Sequence, residues 1–197
     1  MSRTALQLAI IVGSTRGGRF APVVANWITE QARQHGDLDV NVIDLAEISL
    51  PNEMPPYGAA PGPQAAAALA KLTPGLAAAD AFIVITPEYN HSYPASLKNA
   101  IDWHNAEWHA KPVGFVSYGG ISGGLRAVEH LRGVFAELHA VTIRDTVSFP
   151  MAGNLFDGEG QLKSPEGPNA AAKALFDQLV WWGRALRNAK EDQPYAA

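Results

Sequence analysis

The chain has no cysteine among its 197 residues. That absence excludes a disulfide framework, a thiol nucleophile and cysteine-ligated zinc or iron–sulfur centres, so redox chemistry here would need a borrowed cofactor. Charge is sparse and has no strong sign. Fifteen Lys and Arg against 19 Asp and Glu give a formal net charge of -4, and charged residues make up 17% of the chain. No basic stripe gathers these lysines and arginines, which argues against nucleic-acid binding built on phosphate neutralisation. No apolar run approaches the roughly 20 residues of a spanning helix, so no membrane association is expected. Residues 7–12 already read as a strand, which leaves no room for a signal peptide, and a cytoplasmic location is expected. Six histidines are present, but His104 and His109 lie five apart and no H-E-x-x-H or comparable ligand spacing occurs. No metal site is expected.

What the chain does contain is 47% hydrophobic residues with 18 Gly and 14 Pro, the composition of a packed, turn-rich globular protein. Its length suits one domain, expected over residues 1–187, with a polar tail at 188–197. Leu8-Ala9-Ile10-Ile11-Val12 is a short continuous apolar run ending at Gly13, the pattern of a strand buried on both faces. Phe20, Val23, Val24, Trp27 and Ile28 follow at helical spacing and predict a helix from about residue 20 to 34. Val40, Val42 and Ile43 suggest a second strand. The prolines and glycines of 51–63 then permit neither helix interior nor central strand, and predict a long surface loop leaving the carboxyl end of the second strand, either a simple surface excursion or a border to a ligand bound there.

The alanine-rich segment 64–79 favours helix, and Ala81 to Thr86 is a second buried strand run stopped by Pro87. Residues 94–106 read as a helix with Pro94 near its first turn. Val113 to Ser117 reads as a strand, Val128, Leu131, Phe135 and Leu138 as a helix stripe, and Val141 to Phe149 as a final strand. Leu175, Leu179, Trp182 and Leu186 mark a closing helix. Five strands alternating with five helices predict an α/β fold: a doubly wound parallel sheet with helices on both faces. Such sheets bind ligands outside the carboxyl ends of their strands.

Three unusual loops fall at that rim. Gly13-Ser14-Thr15-Arg16-Gly17-Gly18-Arg19 offers backbone N–H groups, hydroxyls and two guanidiniums at a helix N-terminus, which suits a terminal phosphate. The plainer alternative is that Ser14 or Thr15 caps the helix and the glycines shape a turn. Gly13 and Gly18 copy the glycine spacing of G-x-x-x-x-G-K-[ST], yet Arg19 and Phe20 replace the lysine and the magnesium-binding hydroxyl, so metal-assisted phosphoryl transfer loses a required ligand. The G-x-G-x-x-G dinucleotide turn is absent too, and a nicotinamide partner is expected to bind transiently elsewhere. Pro87-Glu88-Tyr89-Asn90-His91 presents amide edges and an aromatic ring to a flat heterocycle, although Tyr89 equally suits packing. Ser117-Tyr118-Gly119-Gly120 either lets backbone pass close to a planar ring or makes a plain turn. Trp103 and Trp108 suit core packing or a subunit contact. A carboxylate site of Glu88, Asp102 and Glu107 gains little support, because helix packing or a subunit contact explains Asp102 better.

Three segments together resemble the NADPH-dependent FMN reductases of the flavodoxin-like superfamily, which include quinone, azo and chromate reductases. They are Gly13-Ser14-Thr15-Arg16, the run from Pro87-Glu88-Tyr89-Asn90-His91 through Ser92-Tyr93-Pro94-Ala95-Ser96-Leu97-Lys98-Asn99-Ala100-Ile101-Asp102 to Trp103, and Tyr118-Gly119-Gly120 followed by Gly123-Gly124. The long middle motif is the specific one. The resemblance implies a five-stranded sheet of order 2-1-3-4-5. It implies that Ser14, Thr15, Arg16, Gly18, Arg19 and Phe20 hold an FMN phosphate, and that Pro87, Glu88, Tyr89, Asn90 and His91 with Ser117, Tyr118, Gly119 and Gly120 line the isoalloxazine.

The same resemblance implies ping-pong turnover. NADPH or NADH is a transient co-substrate, a quinone, azo dye, metal oxyanion, free flavin or oxygen is the small acceptor, and the assembly is a homodimer or homotetramer. No residue is assigned as catalytic, since the cofactor carries hydride chemistry and the protein supplies orientation and access; Tyr89 and His91 are expected to shape the nicotinamide or acceptor pocket. The alternative is a flavodoxin-type FMN electron carrier, a class that is strongly acidic where this chain is mildly so. A flavin-binding regulatory protein without turnover is a third class.

Overall fold

The computed structural model describes residues 5–196. Five parallel strands, β1 (Leu6–Val12), β2 (Leu38–Asp44), β3 (Ala81–Pro87), β4 (Pro112–Tyr118) and β5 (Val141–Phe149), form one sheet in the order β2-β1-β3-β4-β5. Five helices connect them: α1 (Ala21–His35), α2 (Pro63–Ala78), α3 (Ala95–Asp102), α4 (Leu125–Glu137) and α5 (Glu166–Asp192). The expected flavodoxin-like doubly wound sheet is therefore what forms.

The physical reason lies in the strands. β3 and β4 are buried at every position, which requires cover on both faces and therefore helical crossovers. Alternate residues feed two separate cores. Leu6, Leu8, Ile10 and Val12 of β1 pack with α1 and α5 on one face, whereas Ala9 and Ile11 pack with residues of α2, α3 and α4 on the other. β2 and β5 are the edge strands, and only they carry exposed or half-exposed positions along much of their length.

Helix boundaries follow local chemistry. α1 has Pro22 in its first turn and ends at Gly36, whose φ of 80° supplies the left-handed cap that glycine favours. α3 is shorter than the 94–106 expected from spacing. It stops at Asp102, where His104 N–H turns back to the Ile101 carbonyl at 3.1 Å and His104 Nδ1 meets the Ala100 carbonyl at 2.8 Å. α5 continues through Asp192, into the segment 188–197 expected as a polar tail. No helix among the described residues is long and apolar enough to cross a membrane.

Candidate functional site

Because all five strands run the same way, the segments leaving β1, β3 and β4 emerge together at one edge. Gly13 opens the first of these. Its N–H donates to the Ile85 carbonyl at 2.9 Å, and its carbonyl accepts from Ser96 Oγ at 2.7 Å. A Cβ here would stand 3.0 Å from Ile85 O and 3.2 Å from Leu97 Cδ2, so a side chain at this turn would crowd the neighbouring strand and α3. Beyond it, among the described residues, no backbone N–H from Ser14 to Phe20 donates to a protein acceptor. Seven consecutive donors ahead of α1 are left for something other than the chain itself, where the helix dipole also favours an anion.

The side chains of this loop divide by task. Ser14 is fully buried, and its hydroxyl lies 2.7 Å from the Tyr89 hydroxyl. Arg19 is committed: its two terminal nitrogens reach the Asp44 carboxylate at 2.5 and 2.6 Å, and Nη1 also donates to the Ser14 carbonyl at 2.7 Å. That bidentate contact raises the Arg19 pKa still further. Burial pushes Asp44 up, but the Arg19 guanidinium and the Ala46 N–H outweigh it and hold the carboxyl below its ordinary value. Arg16 and Thr15 stay exposed, and Arg16 makes no ion pair among the described residues. Phe20 turns inward against Tyr118 and Phe156, with ring centroids 6.0 and 5.4 Å away.

The second loop continues the sheet. Glu88 N–H donates to the Tyr118 carbonyl at 3.2 Å, extending the Pro87 to Tyr118 pairing by one step. Tyr89 and Ser92 exchange backbone hydrogen bonds of 2.8 and 3.1 Å around Asn90 and His91, which adopt φ of 49° and 74°. Two successive left-handed residues make a hairpin-type turn, and neither is glycine, so the turn is held at a cost by its surroundings. Glu88 has a side chain only 6% exposed, gripped by Arg126 and by Ser122 Oγ at 2.6 Å. Burial drives its carboxyl up; those two partners more than reverse the effect and leave it below its ordinary value.

The third loop is shaped by two glycines further on. Gly123 and Gly124 have φ of 61° and 87°, and a Cβ on them would sit 2.3 Å from Ser148 Oγ and 2.7 Å from Ser117 Cβ. The Gly123 carbonyl accepts from both Ser117 Oγ at 2.8 Å and Ser148 Oγ at 2.9 Å. Gly120 is different: its φ is ordinary and nothing stands within 4 Å of a Cβ built on it. Neither chain geometry nor a neighbour demands glycine there, which leaves open space at the rim. Burial raises the Tyr118 hydroxyl pKa well above its ordinary value of 10.0.

The structure thus brings the first, second and third loops into one connected rim: Ser14 to Tyr89, Glu88 to Tyr118 and Phe20 to Tyr118. Sequence reasoning missed Asp44, Ser96, Ser122 and Arg126, which hold the loops without lining them. Asp44 had a usable signal, since it ends the strand that order 2-1-3-4-5 sets beside β1. Other candidates resolve into packing. Trp108 is buried against Phe82 and Phe135, His104 bonds to Ala100 and Thr73, and Asp102 pairs with Lys98 one turn away at 2.7 Å. Trp103 Nε1 and Asn99 Nδ2 both donate to the Pro51 carbonyl at 3.1 Å, so the long motif also tacks down the start of the proline-rich loop. Among the described residues no group of three or more His, Asp or Glu is placed to hold a metal ion.

The chain resembles known proteins in both sequence and fold. A family model for NADPH-dependent FMN reductase matches residues 6–154. The chain is 36% identical over 120 residues to an NAD(P)H-dependent FMN reductase of Schizosaccharomyces pombe, a match that spans 60% of either chain. It is 34% identical over 190 residues to a 2-hydroxy-1,4-benzoquinone reductase of a Burkholderia species, spanning 93% of this chain and 99% of that one. Among solved structures, the flavoenzyme NAD(P)H:acceptor oxidoreductase FerB of Paracoccus denitrificans has the same fold, with a TM-score of 0.73 and 22% identity over 92% of this chain and 98% of the other.

Proposed function

Since the chain belongs to the NADPH-dependent FMN reductase family, we propose that it is an FMN-dependent oxidoreductase that draws hydride from NADPH or NADH and passes the electrons to a small acceptor. Support for the cofactor comes from the chain itself. The run of backbone N–H groups from Ser14 to Phe20, without protein acceptors among the described residues, is what a phosphate monoester needs, and it carries this reading.

In this reading Thr15, Arg16 and the backbone through Gly18 hold the phosphate, with exposed Arg16 as its counter-charge. Arg19, locked to Asp44 and to the Ser14 carbonyl, holds the loop in shape. Ser14 and Phe20 act through Tyr89 and Tyr118, tying the phosphate loop to the two segments that line the ring. Pro87 to Asn90 present backbone edges to one side of the heterocycle, Ser117 to Gly120 border it on another, and the open space at Gly120 lets the backbone come close. The bound flavin supplies two-electron chemistry between the reduced nicotinamide and the acceptor. The chain orients both, and no side chain has to transfer a proton for hydride to move. His91 is exposed at the mouth and borders the acceptor pocket.

A quinone or an azo compound is the proposed acceptor class, in keeping with the names of the Burkholderia relative and of an azoreductase of Staphylococcus haemolyticus that is 34% identical over 178 residues. The chain is further proposed to act in the cytoplasm as a homodimer or homotetramer. Sedimentation as a monomer would remove the last point.

The test is direct. The purified protein is loaded with FMN and its visible spectrum recorded, and oxidation of NADPH and NADH is then followed with a benzoquinone, an azo dye or free FMN. Flavin uptake with acceptor-dependent nucleotide oxidation is the expected result. Flavin uptake without nucleotide oxidation would make the protein an electron carrier, and failure to take up FMN would end both readings.

A further inference from the structure

A concave site lies next to the phosphate loop that the roles above do not use. It is a cavity of about 380 Å³ between the segment following β2 and the N-terminal turn of α3, walled by Leu45, Ile48, Leu50, Thr15, Asn52 and Asn99. Ile48 and Leu50 pack against the core beneath it. Its outer wall is fixed at both ends: Ile48 N–H bonds the Leu45 carbonyl at 3.2 Å, and Asn99 Nδ2 donates to the Leu50 and Pro51 carbonyls at 3.3 and 3.1 Å. The site is therefore preformed rather than a gap between mobile loops. Its wall is shared about equally between apolar and polar groups, which suits a small molecule that offers both a flat apolar face and a polar edge.

Two properties narrow the occupant. First, no charged residue lines the cavity, so it suits a neutral group. Second, it shares Thr15 with the phosphate loop but includes none of Pro87 to His91 or Ser117 to Gly120. A group seated there cannot be the ring that reacts. It must be the distant end of a longer molecule whose other end reaches the ring-lining loops. Of the two substrates in the proposed reaction, only the nicotinamide dinucleotide has that shape, with a neutral planar base far from the nicotinamide.

We propose that this cavity receives the adenosine half of NADPH or NADH, an inference that rests on the reductase reading above. Leu45, Ile48 and Leu50 provide apolar contact for the base. Ser49 and Asn52, whose side chains make no hydrogen bond among the described residues, and the free oxygen of Asn99 provide donors and acceptors for its edge. An Asn carboxamide pairs well with the amino and ring nitrogens of adenine. With no cation in its wall, the cavity grips the base shared by both nucleotides and not the 2′-phosphate that distinguishes them.

Filling the cavity from its exposed lip tests this. Ser49→Trp places a large ring over the site from an exposed position, and Asn52→Leu removes a polar contact with little change in size. FMN affinity, read by flavin fluorescence, reports whether each variant is folded and its phosphate loop intact. The donors are NADPH, NADH and reduced nicotinamide mononucleotide, which lacks adenosine. For Ser49→Trp the KM for NADPH and NADH is expected to rise at least ten-fold and by similar factors, with kcat/KM for the mononucleotide and FMN affinity unchanged. Asn52→Leu should show the same pattern more weakly. AMP should inhibit the wild type competitively against NADPH and lose potency against Ser49→Trp.

Equal losses with the dinucleotides and the mononucleotide, or no loss with either, would overturn the assignment, and a rise confined to NADPH would put a phosphate there in place of the base. Wild-type protein that takes up FMN yet oxidises none of the three donors would instead defeat the reductase reading itself.

Discussion

The hydroxyl of Ser14, at the end of β1, lies 2.7 Å from the hydroxyl of Tyr89, 75 residues away beyond β3. This contact joins the segment proposed to hold a phosphate to the segment proposed to line a ring, and with the Phe20 to Tyr118 packing it sets the two halves of the proposed cofactor site against each other. Removing it with Tyr89→Phe keeps the aromatic ring and loses only the link. FMN affinity should fall about five-fold, the equivalent of roughly 1 kcal/mol for a typical hydrogen bond, with thermal stability little changed. Fluorescence titration of FMN checks the first and a melting curve the second.

Arg16 and Arg19 should behave differently although both sit in the same loop. Arg16→Ala removes a proposed direct phosphate contact and should weaken FMN binding about 10- to 100-fold, as a lost charge-assisted hydrogen bond does. Riboflavin, which has no phosphate, should bind both proteins alike. Arg19→Ala should also lower the melting temperature, because it leaves Asp44 without its bidentate partner. A riboflavin affinity that falls together with that for FMN in Arg16→Ala would refute the phosphate role.

Glu88 predicts an acid-sensitive component of stability. Its folded pKa is held below the ordinary 4.5 by Arg126 and Ser122 against the opposing effect of burial. Its contribution is therefore fully present above about pH 4.5 and is lost as the pH falls through the lower folded value. Glu88→Gln should cost about 1–3 kcal/mol at pH 7, towards the lower end because Arg126 is half exposed. It should also flatten part of the fall in stability between pH 5 and pH 3. Urea unfolding across that range measures both.

Lys111 predicts a second rise of stability with pH, at the alkaline end. It is buried, with Nζ donating to the Leu76 and Ala77 carbonyls at 2.9 and 3.0 Å at the end of α2. Burial, helped by nearby Lys190, lowers its pKa from 10.5 to about 8. Between those values the unfolded chain binds more protons than the folded one, so stability should rise from about pH 8 towards pH 10, by up to about 3 kcal/mol. Lys111→Met should abolish that rise while lowering stability at pH 7 through loss of the two carbonyl partners. An unchanged alkaline slope in the variant would contradict the assignment.

Much of this site was legible from the chain because its carriers are local. Ala81 to Thr86 is an apolar run that only a doubly covered strand explains, and a proline stops it where the second loop begins. The same logic located Gly13 and Tyr118. Arg19 with Asp44 and Glu88 with Arg126 were not legible, since the partners are 25 and 38 residues apart and meet only through strand order and helix placement. No spacing rule distinguishes an arginine that braces a loop from one that faces solvent. The early end of α3 was hidden for a related reason: Trp103 is spent on the Pro51 carbonyl, a contact no helical period contains.

The step from Pro87 to Glu88 along Tyr118 has a consequence for how such a protein can change. The two backbones proposed to face the ring are held at the spacing of neighbouring strands, about 4.8 Å, by the sheet and not by any side chain. His91 and Ile121 stand exposed beyond them. Substitutions there are expected to retune which acceptor is welcomed while the proposed seat of the heterocycle keeps its shape.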